Sequence, residues 1–247
     1  MTLSAKSIRI EPIEAKYAKS IVKKFHYSGK SVPNSQLHLG VFIGGKCHGT
    51  MQFGPPMDKR RMLGLVRGTG WHNFLELNRM AFGPALPRNS ESRALSVAFK
   101  ILKKQYPQIK WLLSFSDATQ CGDGAIYRAS GFLLTNIKKN TSLLRLPNGQ
   151  IIADKTLNNH PVQNAGWWKK KGAVPLVGYQ LRYIKFLDKS WLDRLTVPVI
   201  PFSRIKELGA SMYLGQCVSS DTSDTPASHA GESGATPTDA LQKEGKQ

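Results

Sequence analysis

Four short stretches of this chain put reactive or recognising side chains where a fold could use them. In Phe25-His26-Tyr27-Ser28-Gly29, an imidazole and a phenol close an amphipathic segment. Together they could transfer a proton or bind a metal, although a lone histidine at a helix end is also an ordinary dipole partner or core group. In WLLSFSD, an apolar run ends on Ser116 and Asp117, and Tyr127 follows ten residues after the carboxylate. Carboxylates at the carboxyl ends of buried strands commonly line clefts in open α/β sheets. Asp117 equally suits a turn, and Tyr127 equally suits a core. In GPALPRNSESR, a loop enters a helix whose free N–H groups could seat a phosphate. There Ser90 or Ser92 could cap, and Arg88 and Arg93 add charge. Finally, Trp167-Trp168-Lys169-Lys170-Lys171 joins aromatic faces to cations, as a nucleic-acid contact needs and as a packed tryptophan pair beside a solvated turn would also show.

The elements that must hold these residues alternate between helical and strand periods. Tyr17, Ile21 and Phe25 recur every fourth position from Ile13, with Pro12 suited to a first helical turn and Ser28-Gly29 to a stop. Runs 38–43 and 46–53 flank Gly44-Gly45, a hairpin signal. Residues 54–73 read as a basic loop, 74–82 as a strand, and 90–105 as a helix with Ala94, Leu95, Ala98, Ile101 and Leu102 on one face. A short buried strand (111–115), a short helix (123–130) and a strand (132–136) come next. A second hairpin follows around Asn148-Gly149 (142–146 and 150–153), then an irregular insertion (158–174) and a last strand (176–186). The order is α-β-β-β-α-β-α-β-β-β, an α/β layered domain with a mixed sheet.

Charge narrows the partner. Lysine and arginine number 35 against 16 acids, a net charge of +19. At the end of the chain, from residue 215, Lys243 and Lys246 face Asp221, Asp224, Glu232, Asp239 and Glu244, a net −3, which leaves +22 on the rest. Such an excess on a folded body attracts a polyanion through counterion release. No basic amphipathic helix suits an acidic membrane, and no apolar run is long enough to span one. The first residues lack the apolar core of a secretory signal. Cys47, Cys121 and Cys217 are too few and scattered for a disulfide framework or zinc module. A cytoplasmic, reduced protein is expected, with one domain over 1–214. Residues 215–247, rich in Ser, Thr, Gly, Ala and Pro, are expected to form a disordered acidic tail.

The stretches Glu76–Phe82, Gly83–Arg93 and AIYRASGF (Ala125–Phe132), in this order over residues 8–186, resemble the GNAT acyltransferase superfamily. That resemblance implies a mixed, mostly antiparallel central sheet flanked by helices. It also implies an acyl-CoA such as acetyl-CoA, or a related donor, held by the loop and helix carrying Arg88, Ser90, Ser92 and Arg93, with Ser116 nearby. The superfamily loop reads Q/R-x-x-G-x-G/A, whereas RNSESR here lacks both glycines.

The combination FHYSGK, LGVF, ELNRM and SFSD…IYRASGF, with the basic charge, is similar to the phage Mom family. Members of that family convert adenine in DNA to its N6-carbamoylmethyl (acetamido) form, which shields phage DNA from restriction. This likeness implies functional roles for His26, Tyr27, Asp117 and Tyr127, with Glu76 and Arg79 on the family's E-x-x-R strand. It also raises iron as a cofactor, with His26, Asp117 and Tyr127 as ligands and a second histidine from His38, His48 or His72. The implied substrate is double-stranded DNA, approached through Trp167, Trp168 and Lys169–Lys171, and the oligomeric state is open, a homodimer included. Two rival readings remain at this point: an acetyl-CoA-dependent N-acetyltransferase acting on a protein or small-molecule amine, and a non-catalytic DNA-binding module of the same fold.

Overall fold

The computed structural model describes residues 4–119 and 122–210 and the backbone of 212–213 and 216–217. The sheet begins with a strand too short to read from periodicity, β1 (Arg9–Pro12), which pairs antiparallel with β2 (Leu37–Ile43). Pro12 therefore ends a strand and does not open the helix. Helix α1 (Ala15–Phe25) starts three residues later, burying Ala18 and Val22. Strand β3 (Lys46–Gly54) returns along β2 through Gly44 and Gly45, both at positive φ (55° and 77°), as a tight twisted hairpin turn requires.

Residues 54–73 are not wholly irregular. Helix α2 (Lys59–Leu63) forms there because the Asp58 carboxylate accepts the Arg61 N–H at 3.1 Å, a side-chain cap at its N-terminus. Strand β4 (Phe74–Phe82), helix α3 (Ser90–Gln105) and strand β5 (Trp111–Asp117) follow, then helix α4 (Ala125–Ala129). The two strands expected over 132–146 are one long strand, β6 (Leu133–Arg145), with irregular pairing between Asn140 and Leu143. After β7 (Ile151–Ala153), the insertion contains helices α5 (Asp154–Leu157) and α6 (Ala165–Lys170), the latter capped by Asn164. Strand β8 (Val174–Phe186) enters the sheet between β5 and β6. A 3-10 turn (Lys189–Arg194) and helix α7 (Ser203–Glu207) finish the described body, neither of them expected from the sequence. Met212–Tyr213 pairs with Gln216–Cys217, and the remainder of the expected tail lies outside the described residues.

The eight strands lie in the order β1-β2-β3-β4-β5-β8-β6-β7, and all neighbours are antiparallel except β4 and β5. The mixed, mostly antiparallel α/β sheet is thus present. Alternation sends Leu39, Met51, Leu77, Leu112, Leu181 and Tyr183 to one face, where Ala94, Leu95, Ala98 and Leu102 of α3 cover them. The other face carries Phe74, Trp111, Leu113, Ile184 and Phe186 under Leu65, Val66 and Trp191. Phe74 and Trp111 stack there with centroids 4.3 Å apart. Each such buried side chain contributes roughly 1.5–3 kcal/mol before entropy is charged against it. Helix α1 covers β2 to β4 on this second face.

One feature of the sheet positions the site. Strands β4 and β5 pair only from Phe74↔Trp111 to Glu76↔Leu113, although β4 runs on to Phe82 and β5 to Asp117. Beyond Glu76 the two parallel strands part, leaving an opening at their carboxyl ends, where α/β sheets bind ligands.

Candidate active site

The opening between β4 and β5 holds a cleft of about 370 Å³, within the ~300–1,000 Å³ range of small-molecule sites. Glu76, Asn78 and Arg79 of β4 form one wall, and Phe115, Asp117 and Gln180 the other, with Tyr27 at the rim. Asp117 and Gln180 are paired residues of β5 and β8 and therefore face the same way, on the α1 side of the sheet. At the end of β5, the Thr119 N–H donates to Asp117 Oδ1 at 3.0 Å, which fixes the carboxylate in a turn.

Glu76 is the group that sequence reasoning underweighted. It is partly buried beside the last β4–β5 rung, and burial pushes its carboxyl up from 4.5 to about 7. A hydrogen bond from Asn78 and the charge of Arg79 oppose the rise but do not cancel it. Asn78, itself buried, accepts from Ser35 Oγ at 3.1 Å, so the α1–β2 connection braces this wall. Arg79 donates from Nε to the Lys30 carbonyl (2.9 Å) and from Nη1 to the Asn78 carbonyl (2.7 Å). The guanidinium thereby ties β4 to the segment carrying His26 and Tyr27. The E-x-x-R spacing was the available signal: it sets an acid and a base three apart on a strand whose other residues, Asn78 excepted, are apolar.

His26 lies directly behind Tyr27, their ring centroids 4.3 Å apart. Its Nδ1 accepts the Ser28 N–H at 3.2 Å and lies 2.8 Å from Ser28 Oγ. In the neutral ring the proton therefore sits on Nε2. Burial, and then Arg79, lowers its pKa to about 4, so the ring is uncharged at neutral pH.

The four residues to which the family likeness gives roles, His26, Tyr27, Asp117 and Tyr127, do not all meet in this cleft. Tyr27 and Asp117 share the cleft with Arg79, and His26 supports Tyr27. Tyr127, by contrast, packs on Tyr183 and Phe132 with centroids 5.2 Å away in each case. Tyr183 stands three residues along β8 from Gln180 in unbroken register, so it points to the α3 face. Tyr127 belongs to that opposite face. Ser116 points there too, its hydroxyl donating to the Gly122 carbonyl at 2.7 Å.

At the start of α3 neither serine caps the helix. The N-cap residue is Asn89, and Ser92 Oγ donates back to the Asn89 carbonyl at 3.2 Å. Asn89 has φ of 68°, the one non-glycine residue in the left-handed region among those described. Asparagine tolerates that conformation better than other side chains. The Ser90 hydroxyl is fully buried with no hydrogen-bond partner among the described residues, and Arg88 and Arg93 are exposed.

The basic-aromatic stretch becomes α6, set on its own small core of Leu144, Leu146, Leu157, Ala165 and Ala173. Trp168 packs against that core and meets Trp167 edge-on at 4.9 Å, while Lys169, Lys170 and Lys171 are exposed. Val174, where β8 begins beside α6, is about 20 Å along the strand from Gln180 of the cleft.

The donors do not make an iron site. No three His, Cys, Asp or Glu side chains gather to hold a metal among the described residues. His26 Nδ1 is engaged by Ser28, and His38 Nδ1 lies 3.2 Å from Gln52 Nε2 in the interior. His72 borders a different cleft.

The α/β sheet is split between two parallel strands, with two carboxylates in the split and the N-terminus of α3 on the far face. The family model described as the Mom protein family matches residues 7–204, most of the chain. The methylcarbamoylase Mom of Escherichia phage Mu is 36% identical over 198 residues, covering 77% of this chain and 80% of that protein. The chain belongs to the Mom family. Among solved structures it is similar to the ribosomal-protein-S18-alanine N-acetyltransferase of Escherichia coli (13% identity, TM-score 0.42, 73% of this chain and 94% of that one). A Bacillus subtilis acetyltransferase in complex with CoA gives 10% identity and a TM-score of 0.40 over 72% and 98%. No helix among the described residues is long and apolar enough to cross a membrane.

Proposed function

We propose that this chain is a DNA-modifying transferase that places a carbamoylmethyl group on N6 of adenine, the modification that protects phage DNA from restriction. Membership of the Mom family and the name of its phage Mu relative, a methylcarbamoylase, support the reaction class. The observation that carries it to this site is the cleft in which Glu76 and Asp117 stand on facing walls with Tyr27 at the mouth. The exocyclic amine is conjugated into the purine and weakly nucleophilic, so it needs a base at hand. Glu76, with its carboxyl near 7, is poised to take that proton at neutral pH as the N6–carbon bond forms and the bond from that carbon to the donor's leaving group breaks, the bond's electron pair departing with the leaving group. Asp117, held by its turn, orients the amine, and the Tyr27 ring, 49% exposed, stacks on the extruded base.

The donor belongs on the other side of the split. An acyl-CoA or related donor would meet the N-terminus of α3, with Arg88 and Arg93 outside and the unpartnered Ser90 hydroxyl within. Tyr127 and Ser116 lie on that same face and are positioned to act on the donor rather than on adenine. Exposed Lys169–Lys171, with Trp167, extend the DNA contact beyond the cleft. The cleft's donor set does not fit iron.

The test is to express the protein in a bacterial host and challenge the extracted DNA with restriction enzymes whose sites contain adenine. Resistance accompanied by a carbamoylmethyl mass on deoxyadenosine is the expected result. Unmodified DNA together with acetylation of protein or small-molecule amines would replace this reading with the acetyltransferase one.

A further inference from the structure

The segment between β3 and β4 carries a feature that proton transfer does not use. Met57 is 85% exposed, the most exposed large hydrophobic side chain among the described residues. It is not on a slack loop. Pro55 and Pro56 precede it, the Pro55 carbonyl accepts from Asn34 Nδ2 at 2.6 Å, and Asp58 after it caps α2. Pro56, Met57 and Asp58 form a crest bordering two clefts at once: the Glu76–Asp117 cleft and a neighbour of about 500 Å³. That neighbour is lined by Gln36, Lys59, Arg60, Trp71 and His72. Trp71 is 48% exposed, and Lys59 Nζ lies 4.7 Å from its ring centroid.

An aromatic face with cations beside it suits one nucleotide, base on the ring and phosphate on the ammonium. An apolar side chain that protrudes from a braced crest between two clefts suits the gap that opens when a base leaves a duplex. Proteins that unstack DNA insert methionine, among other apolar side chains, between base steps.

We propose that the Pro56–Asp58 crest is a base-extrusion wedge. Met57 enters the stack in place of the target adenine, which lies in the Glu76–Asp117 cleft. The next nucleotide of the same strand sits in the adjoining cleft, its base against Trp71 and its phosphate on Lys59 and Arg60. The inference rests on the DNA-adenine reading above and adds how the duplex is opened and what holds the flanking nucleotide.

The test compares modification rates on two synthetic duplexes of one mixed sequence, with adenines facing thymine in one and cytosine in the other. A mispaired base leaves the stack more readily, so a wedge matters less there. Met57→Ala should lower the paired-to-mispaired rate ratio about tenfold, and Met57→Leu, which keeps an apolar wedge, should hold it within about threefold of wild type. Thermal melting of both variants should match wild type, since the side chain is exposed. An equal fall on both duplexes, or no fall on either, would overturn the wedge while leaving adenine modification standing. A wild-type protein that modifies neither duplex would remove the functional reading and the wedge with it.

Discussion

Two carboxylates that look equivalent in sequence are made different by where the sheet puts them. Asp117 ends a strand with its carboxylate held by the Thr119 N–H, whereas Glu76 sits at the point where two strands part, and burial there lifts its carboxyl to about 7. Two outcomes follow for Glu76. The modification rate should rise as pH increases through about 7 and level off above it, and Glu76→Gln should abolish that rise along with most activity; a pH–rate profile checks both. The sign for stability is opposite. An acid whose folded pKa exceeds its unfolded value favours folding below the unfolded value, near 4.5, and that contribution is lost as pH climbs to about 7. Glu76→Gln should therefore melt close to wild type at pH 5 and above it at pH 8, by on the order of 2 kcal/mol, several degrees. His26 has the converse logic. Its lowered pKa makes protonation disfavour the fold, so stability should fall as pH drops from about 6.5 to about 4, and His26→Gln should flatten that decline in a series of melting curves.

The elements carry the cleft through a few close contacts. Thr119, whose N–H fixes Asp117, packs against Gly178 of β8 so tightly that a Cβ there would collide with the threonine side chain. Gly178→Ala should displace that turn, lowering modification at least tenfold with a modest loss of melting temperature, because the collision falls on a buried side chain. Comparing activity with melting for this variant separates a shifted carboxylate from an unfolded chain. The same scale shows what the sequence could and could not reveal. Strand β4 and helix α3 were legible at their observed ends, since their apolar periods run nine and sixteen residues between clear breaks. Strand β1 was not, being four residues long, and α2 and α6 hide in basic stretches where one capping residue, Asp58 or Asn164, decides the outcome. Asp117 and Tyr27 were legible as cleft residues. The placement of Tyr127 was not, because it depends on which face of β8 Tyr183 takes, and register is a property of paired strands rather than of a motif.

At the scale of the whole molecule, the proposed function gives the net charge of +19 the task of drawing in the DNA, and the cleft at the split of the sheet that of receiving one of its residues. Affinity for mixed-sequence duplex should drop steeply between low and physiological salt. Replacing Lys169, Lys170 and Lys171 with alanine should reduce the slope of log affinity against log salt by up to about three, without altering chemistry at a bound adenine. Salt titration of wild type and triple variant measures this directly. The claim on which the rest depends is that the carboxylates of this one cleft modify adenine. Nucleosides from DNA of cells expressing wild type, Asp117→Asn and Glu76→Gln, resolved by mass, test it most directly. Wild-type DNA should carry carbamoylmethyl deoxyadenosine, and both folded variants should leave adenine almost wholly unmodified. Equal modification by all three proteins would contradict the account and place the chemistry outside the cleft.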